Sequence, residues 1–205
     1  PATANLSSEE TVFTDIKNHW AKEEILKGVS KDLVSGYPDN TFRPDNSVTV
    51  GEVIAFILRA EGHSFTAEGS DWKKPYIQKA LETGLILPEE FENFDRAASR
   101  EEVVLLLYRT GKVPASTIAD ISQIKDIDTI GEKFKDAVIS LYNKEIIVGF
   151  EDGTFRPDDS VTREQFVKML VEAFKLSGKT DAVFSDVASD RWSYEYINTA
   201  VATGI

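Results

Sequence analysis

Two arginines stand directly after a hydroxyl residue, Arg100 in S-R-E-E (99–102) and Arg163 in T-R-E-Q (162–165). The pattern is that of a capping box. Ser99 or Thr162 takes the amide three residues on, and Glu102 or Gln165 reaches back to the cap amide. T-V-G-E (49–52) repeats the device with Val50 in the arginine's place. Capping explains the first and fourth positions but not the arginine, which at the first helical position faces the positive end of the helix dipole. A cation there calls for a partner, and an anion at a helix N-terminus is the natural one. Carboxylate and aromatic residues recur nearby: Asp15 before Trp20, Asp71 beside Trp72, Asp126 before Phe134, and Asp186 before Trp192. The arginines point to recognition of an anion. Each residue also has an ordinary duty, since a tryptophan opening an amphipathic helix packs a core and an acid before a helix caps it.

Catalysis and metal chemistry find less support. The adjacent acids Glu23-Glu24, Glu89-Glu90 and Asp158-Asp159 read as solvated surface, and neither His19 nor His63 has a nucleophile pattern beside it. There is no cysteine, so disulfides and thiolate chemistry are excluded. The acid-rich loops DNTFRPDNS and EDGTFRPDDS lack the order of acids and glycine of a calcium-binding EF-hand, and Arg43 and Arg156 intrude. No cofactor or metal is expected.

The elements that must position these groups form repeats. LVSGYPDNTFRPDNSVTVGE (33–52) and IIVGFEDGTFRPDDSVTREQ (146–165) are nearly the same twenty residues written twice. Each is preceded by an acidic-aromatic helix and followed by a strongly apolar one. VIAFIL (53–58), VVLLLY (103–108) and FVKMLVEAF (166–174) are apolar round most of their circumference and belong in a central bundle. The preceding helices carry one stripe, Phe134, Ala137, Val138, Leu141 and Tyr142 in one copy and Trp192, Tyr196, Ile197, Ala200 and Val201 in another. In the connecting loops Gly36 and Gly149 are expected to supply a positive φ, Asp39-Asn40 and Asp152-Gly153 a tight turn, and Phe42 and Phe155 an anchor towards the core. A degenerate copy replaces that loop with ILPEEFENFDRAA, where Phe91 or Phe94 can take the anchoring place.

Composition fits a globular, secreted or surface-exposed chain: 205 residues, 41% hydrophobic and 28% charged. The net charge of −12 argues against a nucleic-acid partner. No apolar run approaches the roughly 20 residues that span a bilayer. The opening PATANLSSEE shows no signal-peptide pattern, which fits either a signal already removed or a cytosolic chain.

Taken together, F-T-D and F-S-D before tryptophan-led helices, G-Y-P-D-N-T-F-R-P-D and G-F-E-D-G-T-F-R-P-D loops, and a closing T-R-E-Q resemble tandem surface-layer homology (SLH) domains, the bacterial cell-wall anchoring modules. The resemblance implies an all-α fold, with very short strands in the glycine-rich loops. Three helix-loop-helix repeats would form a pseudo-threefold, three-pronged body around a central bundle. It divides the chain into a tail (1–12), repeats at 13–62, 70–111 (degenerate loop) and 124–176, and a further first helix at 183–205. It implies non-catalytic anchoring through secondary cell-wall polysaccharide bound in grooves between repeats. The ligand would be a pyruvylated N-acetylmannosamine whose ketal carboxylate lies beside the arginine of the family's T-R-A-E, which falls on Arg100 and Arg163. Asp15 with Trp20, Trp72, Asp126, and Asp186 with Trp192 carry over as ligand-binding groove residues, together with Gly36 and Gly149 of the loops. The first repeat departs from the pattern at Val50 and Gly51. The location implied is the cell wall or S-layer of an exported protein, where self-association is also expected. The alternative is a scaffolding module of the envelope that binds no sugar, which the missing first arginine and the lost second loop favour.

Overall fold

A computed structural model describes residues 45–65, 71–116, 124–176, 186–203 and 205. Within these the chain is mainly helical. Helix α1 runs Val50–Ala60, α2 Lys74–Thr83, α3 Arg100–Arg109, α4 Glu132–Asn143, α5 Arg163–Ala173 and α6 Tyr194–Ala202, with a 3₁₀ turn at Ile127–Thr129 before α4. The capping boxes expected at α1, α3 and α5 all form: Thr49, Ser99 and Thr162 accept from the amides of Glu52, Glu102 and Gln165, whose side chains accept from the cap amides. No side chain caps α2, α4 or α6. α2 instead carries a proline in its first turn and ends on Gly84 in the left-handed region.

The three segments ahead of the capping boxes close on one another. Val48 N–H donates to Val161 O (2.9 Å), Val161 N–H to Ala98 O (3.1 Å), and Ala98 N–H to Val48 O (2.9 Å). Each residue gives one bond and receives one, so three chain segments far apart in sequence satisfy their buried backbone groups in a cycle. All three side chains are fully buried. Two residues on, each closing helix is tied to the following copy: Val50 N–H to Arg96 O (3.0 Å), Arg100 N–H to Asp159 O (3.0 Å) and Arg163 N–H to Asn46 O (2.9 Å). These isolated bridges are the extended pairing present, and among the described residues there is no strand. The short strand anticipated in the glycine-rich loop is a tight turn in the described copy, because Gly153 N–H turns back to Phe150 O (2.8 Å) and leaves no second pair of residues to extend the ladder.

Helix packing crosses the sequence repeats. α1 lies against α2, α3 against α4 and α5 against α6, so each apolar closing helix is covered by the first helix of the next copy, while α3 also touches α1 and α5. The α4 stripe behaves as its spacing predicts, with Phe134, Ala137, Val138 and Leu141 buried and Tyr142 half-buried. The α6 stripe holds for Ile197, Ala200 and Val201 but not for Trp192, which is 51% exposed. α6 begins at Tyr194, and Trp192 lies in the turn before it, outside the helical period.

Candidate functional site

Arg100 is 5% exposed although it is a full cation at the surface end of α3. Its Nε–H donates to Phe155 O (2.8 Å) and an Nη2–H reaches Val148 O (3.4 Å). The guanidinium carbon lies 4.9 Å from the ring centres of both Phe150 and Phe155. Carbonyl oxygens and ring faces solvate a cation in part. Among the described residues no carboxylate lies within ion-pair distance of it, and burial pulls its pKa down. The opposing pull comes from the more distant Asp159 and Asp126. A desolvated charge answered only by dipoles is receptive to an anion.

The cation lines an open cleft of about 270 Å³. Ile146 to Phe150 form one wall, Gln165, Lys168 and Met169 of α5 another, and Trp192 stands at the rim. Val148 and Trp192, at 61% and 51% exposure, present apolar surface there. The Lys168 ammonium pairs with Glu172 (3.0 Å) and lies 5.5 Å from the Tyr196 ring centre. The cleft thus combines a buried arginine, an exposed indole, backbone carbonyls and an amide, chemistry that suits a small anionic sugar.

The wall at 148–156 is held by Asp126. Its two carboxylate oxygens accept from Phe155 N–H and Arg156 N–H, both at 2.7 Å. Asp126 is therefore a loop clamp, and its side chain caps no helix. It fixes Arg156 at φ 58°, an unusual conformation for that residue. Asp152 accepts from the Thr154 hydroxyl (2.6 Å) and amide (2.9 Å) and pairs with Arg156 (2.9 Å), which together hold its pKa far below the usual carboxylate range. Arg156 also stacks 3.9 Å from the centre of Phe150. Gly149 does not take the positive φ expected of it. The left-handed glycine is Gly153 (φ 82°), at the turn itself, and α4 ends through Glu145 (φ 57°) instead. Gly149 is a close-approach residue, since a Cβ there would lie 3.1 Å from Thr154 O. Phe155 is buried as expected.

Arg163 occupies the equivalent place at the N-terminus of α5 but is paired to Glu52 (2.8 Å), with side-chain exposures of 6% and 12%. Trp192 joins Arg100 in its cleft, because the closing helix that meets loop 148–156 belongs to the preceding copy. Asp186 is half-buried ahead of α6. Trp72 is half-buried and packs edge-on against Tyr76, with ring centres 6.3 Å apart, so it serves the α1–α2 pair. Asp15, Trp20 and Gly36 lie outside the described residues. Sequence reasoning missed Gln165, Lys168, Phe150 and Val148 as cleft residues. Only the facing of two copies reveals them, although Phe150 stands where the other copy has Tyr37.

The junctions also relocate the two departures from the repeat pattern. Val50 N–H bonds to Arg96 O, and Gly51 N–H to Phe94 O (2.9 Å). The copy without an arginine therefore faces the copy without the loop, and both losses fall at a single junction. A Cβ on Gly51 would lie 2.8 Å from Lys73 Cδ and 3.1 Å from Phe94 O, which accounts for the glycine.

Residues 12–54 and 123–167 match the family model of the S-layer homology domain. Among curated relatives, a cellulosome-anchoring protein of Acetivibrio thermocellus is 26% identical over 85% of this chain and 43% of its own length. An amylopullulanase of Thermoanaerobacterium thermosulfurigenes is 25% identical over 82% of the chain and 10% of its own length. A surface-layer 125 kDa protein of Lysinibacillus sphaericus is 32% identical over 43% and 8% respectively. The chain spans less than half the length of each. With two matched copies and this set of relatives, the chain carries S-layer homology domains in tandem.

Proposed function

We propose that the chain is a non-catalytic anchor that works at the bacterial cell wall, binding an anionic secondary cell-wall polysaccharide in the cleft built on Arg100. The single observation that carries this reading is a buried guanidinium with no carboxylate partner among the described residues, facing a sugar-sized cleft rimmed by an exposed indole. A pyruvate ketal on N-acetylmannosamine supplies the matching carboxylate, and Trp192 supplies a platform for the ring. The cycle joining Val48, Ala98 and Val161 supports a pseudo-threefold arrangement of the repeats at 13–62, 70–111 and 124–176, with grooves between them. The family match and the names of the relatives support anchoring as the role.

Calorimetric titration with pyruvylated N-acetylmannosamine, beside the same sugar without its ketal, tests the proposal. Binding that requires the carboxylate and falls at least ~30-fold in Arg100→Ala is expected, since truncating one partner of a buried charge pair costs about 2–5 kcal/mol. No heat from a folded sample with either sugar would reject it. Concentration-dependent oligomers without sugar affinity would select the scaffolding alternative.

A further inference from the structure

The three capping boxes differ at their fourth residue in a way that assigns the junctions different charges. Glu52, besides accepting from Thr49 N–H (2.9 Å) through one oxygen, takes the Arg163 guanidinium on the other at 2.8 Å. Glu102 likewise caps Ser99 (3.0 Å) and holds Arg96 through both oxygens, at 2.5 and 2.8 Å. The third box ends in Gln165, whose side-chain oxygen accepts from Thr162 N–H (3.2 Å), and which lines the cleft beside Arg100. Each junction brings the first residue of one closing helix to the next copy's box: Val50 to the Glu102 box, Arg100 to the Gln165 box, and Arg163 to the Glu52 box. Two boxes therefore carry an internal arginine–carboxylate pair. Where the box is neutral, Arg100 has only carbonyl and ring contacts and no carboxylate at ion-pair distance among the described residues.

We propose that Gln165 is the residue that leaves the Arg100 cleft open to an anion, and that Glu52 closes the equivalent Arg163 junction by supplying the carboxylate from within. The described junctions then hold one anion site per chain, although the chain contains two arginines of the motif. The physical reason is competition: a ligand carboxylate reaching Arg163 must displace Glu52 and leave that acid poorly paired in a partly buried place. At Arg100 the ligand displaces only carbonyl contacts. Gln165 retains the capping geometry without the charge, so the local fold is the same in both junctions.

The inference rests on the anchoring proposal above and can fail separately from it. Pyruvylated N-acetylmannosamine is titrated into the wild-type chain, Gln165→Glu and Glu52→Gln, with thermal unfolding of each. Gln165→Glu restores the acid found in the other boxes and is expected to fold normally. The wild-type chain should bind one equivalent, and Gln165→Glu should bind at least ~30-fold more weakly, since the new carboxylate occupies Arg100 and repels the ligand's. Glu52→Gln should add a second equivalent. Two equivalents in the wild type, or unchanged affinity in Gln165→Glu, would overturn the inference while leaving the anchor reading in place. Binding of neither sugar to the wild type would remove both.

Discussion

The loop at 148–156 and its counterpart at 87–97 occupy the same place in the ring yet are held by different means. The first is fastened from within its own copy, where Asp126 grips two backbone amides and Asp152 grips Thr154 and Arg156. It presents Phe150, Phe155 and two carbonyls to a buried cation. The second is tied down by long side chains. Arg109 forks onto Glu90 at 2.6 and 2.9 Å, Lys73 pairs with Asp95 at 2.7 Å, and Phe91 fills the core. It meets Val50, an apolar residue with no exposure. The backbone cycle is the same at both places, so the ring tolerates either loop. What changes together is the loop's inner face and the residue it receives. Arginine and arginine slot are two halves of one device, and where one half is missing the other is missing too.

Supplying only one half should therefore fail. Val50→Arg places a cation against the loop at 87–97, which offers no slot, and the nearest capping acid, Glu102, already holds Arg96. A buried charge without a partner costs about 3–5 kcal/mol, so chemical denaturation should show a loss of roughly 4 kcal/mol and calorimetry no added sugar site. A stable variant with an extra equivalent bound would break the comparison. The reverse experiment removes the clamp from the intact loop. Asp126→Ala deletes two hydrogen bonds to a charged acceptor, worth about 1.5–3 kcal/mol each in isolation. Because Asp126 is only half-buried, a net loss near 3 kcal/mol is expected, with sugar affinity falling as the Val148 and Phe155 carbonyls lose their places. Stability lost with affinity intact would show that the clamp serves the fold alone.

The local features of this architecture were legible because they depend on neighbours in sequence. A hydroxyl followed three residues later by Glu or Gln specifies its own capping bonds, and all three boxes form. The α4 stripe follows the helical period, and Phe155 goes inside. Gly149 was misread because the turn centres on Asp152-Gly153, so the positive φ falls at Gly153 and the earlier glycine serves a close backbone approach. Trp192 was misread because its spacing from Tyr196 matches a helix that has not yet begun there. The junctions were not legible at all. Arg100 finds its carbonyls 48 and 55 residues along the chain, and Arg163 finds Glu52 at a separation of 111. Nothing in the spacing says which copy faces which. The difference between Glu52 and Gln165 is one letter in the sequence, and it acquires meaning only when the ring sets each box against another copy's first helical residue.

The smallest expected effect separates the two loops by pH. Burial pushes the Glu90 carboxyl up, but the Arg109 guanidinium and the Leu87 amide pull it further down, leaving its pKa below the ordinary 4.5. A carboxyl lowered in the folded state stabilises fully above its unfolded pKa, and the contribution disappears as pH falls through the folded value. Glu90→Gln keeps a hydrogen-bonding group of the same shape and removes the charge. At pH 7 it should cost about 1.5 kcal/mol, the difference between a charged and a neutral bond to a guanidinium that keeps its contact with Leu85 O. Denaturation curves of variant and wild type should converge below the ordinary glutamate pKa of 4.5. Sugar affinity should be unchanged throughout, because the loop at 87–97 contributes no residue to the Arg100 cleft. A gap that persists undiminished in acid would mean that Glu90 holds its loop by shape rather than charge, and the two fastenings would be more alike than their residues suggest.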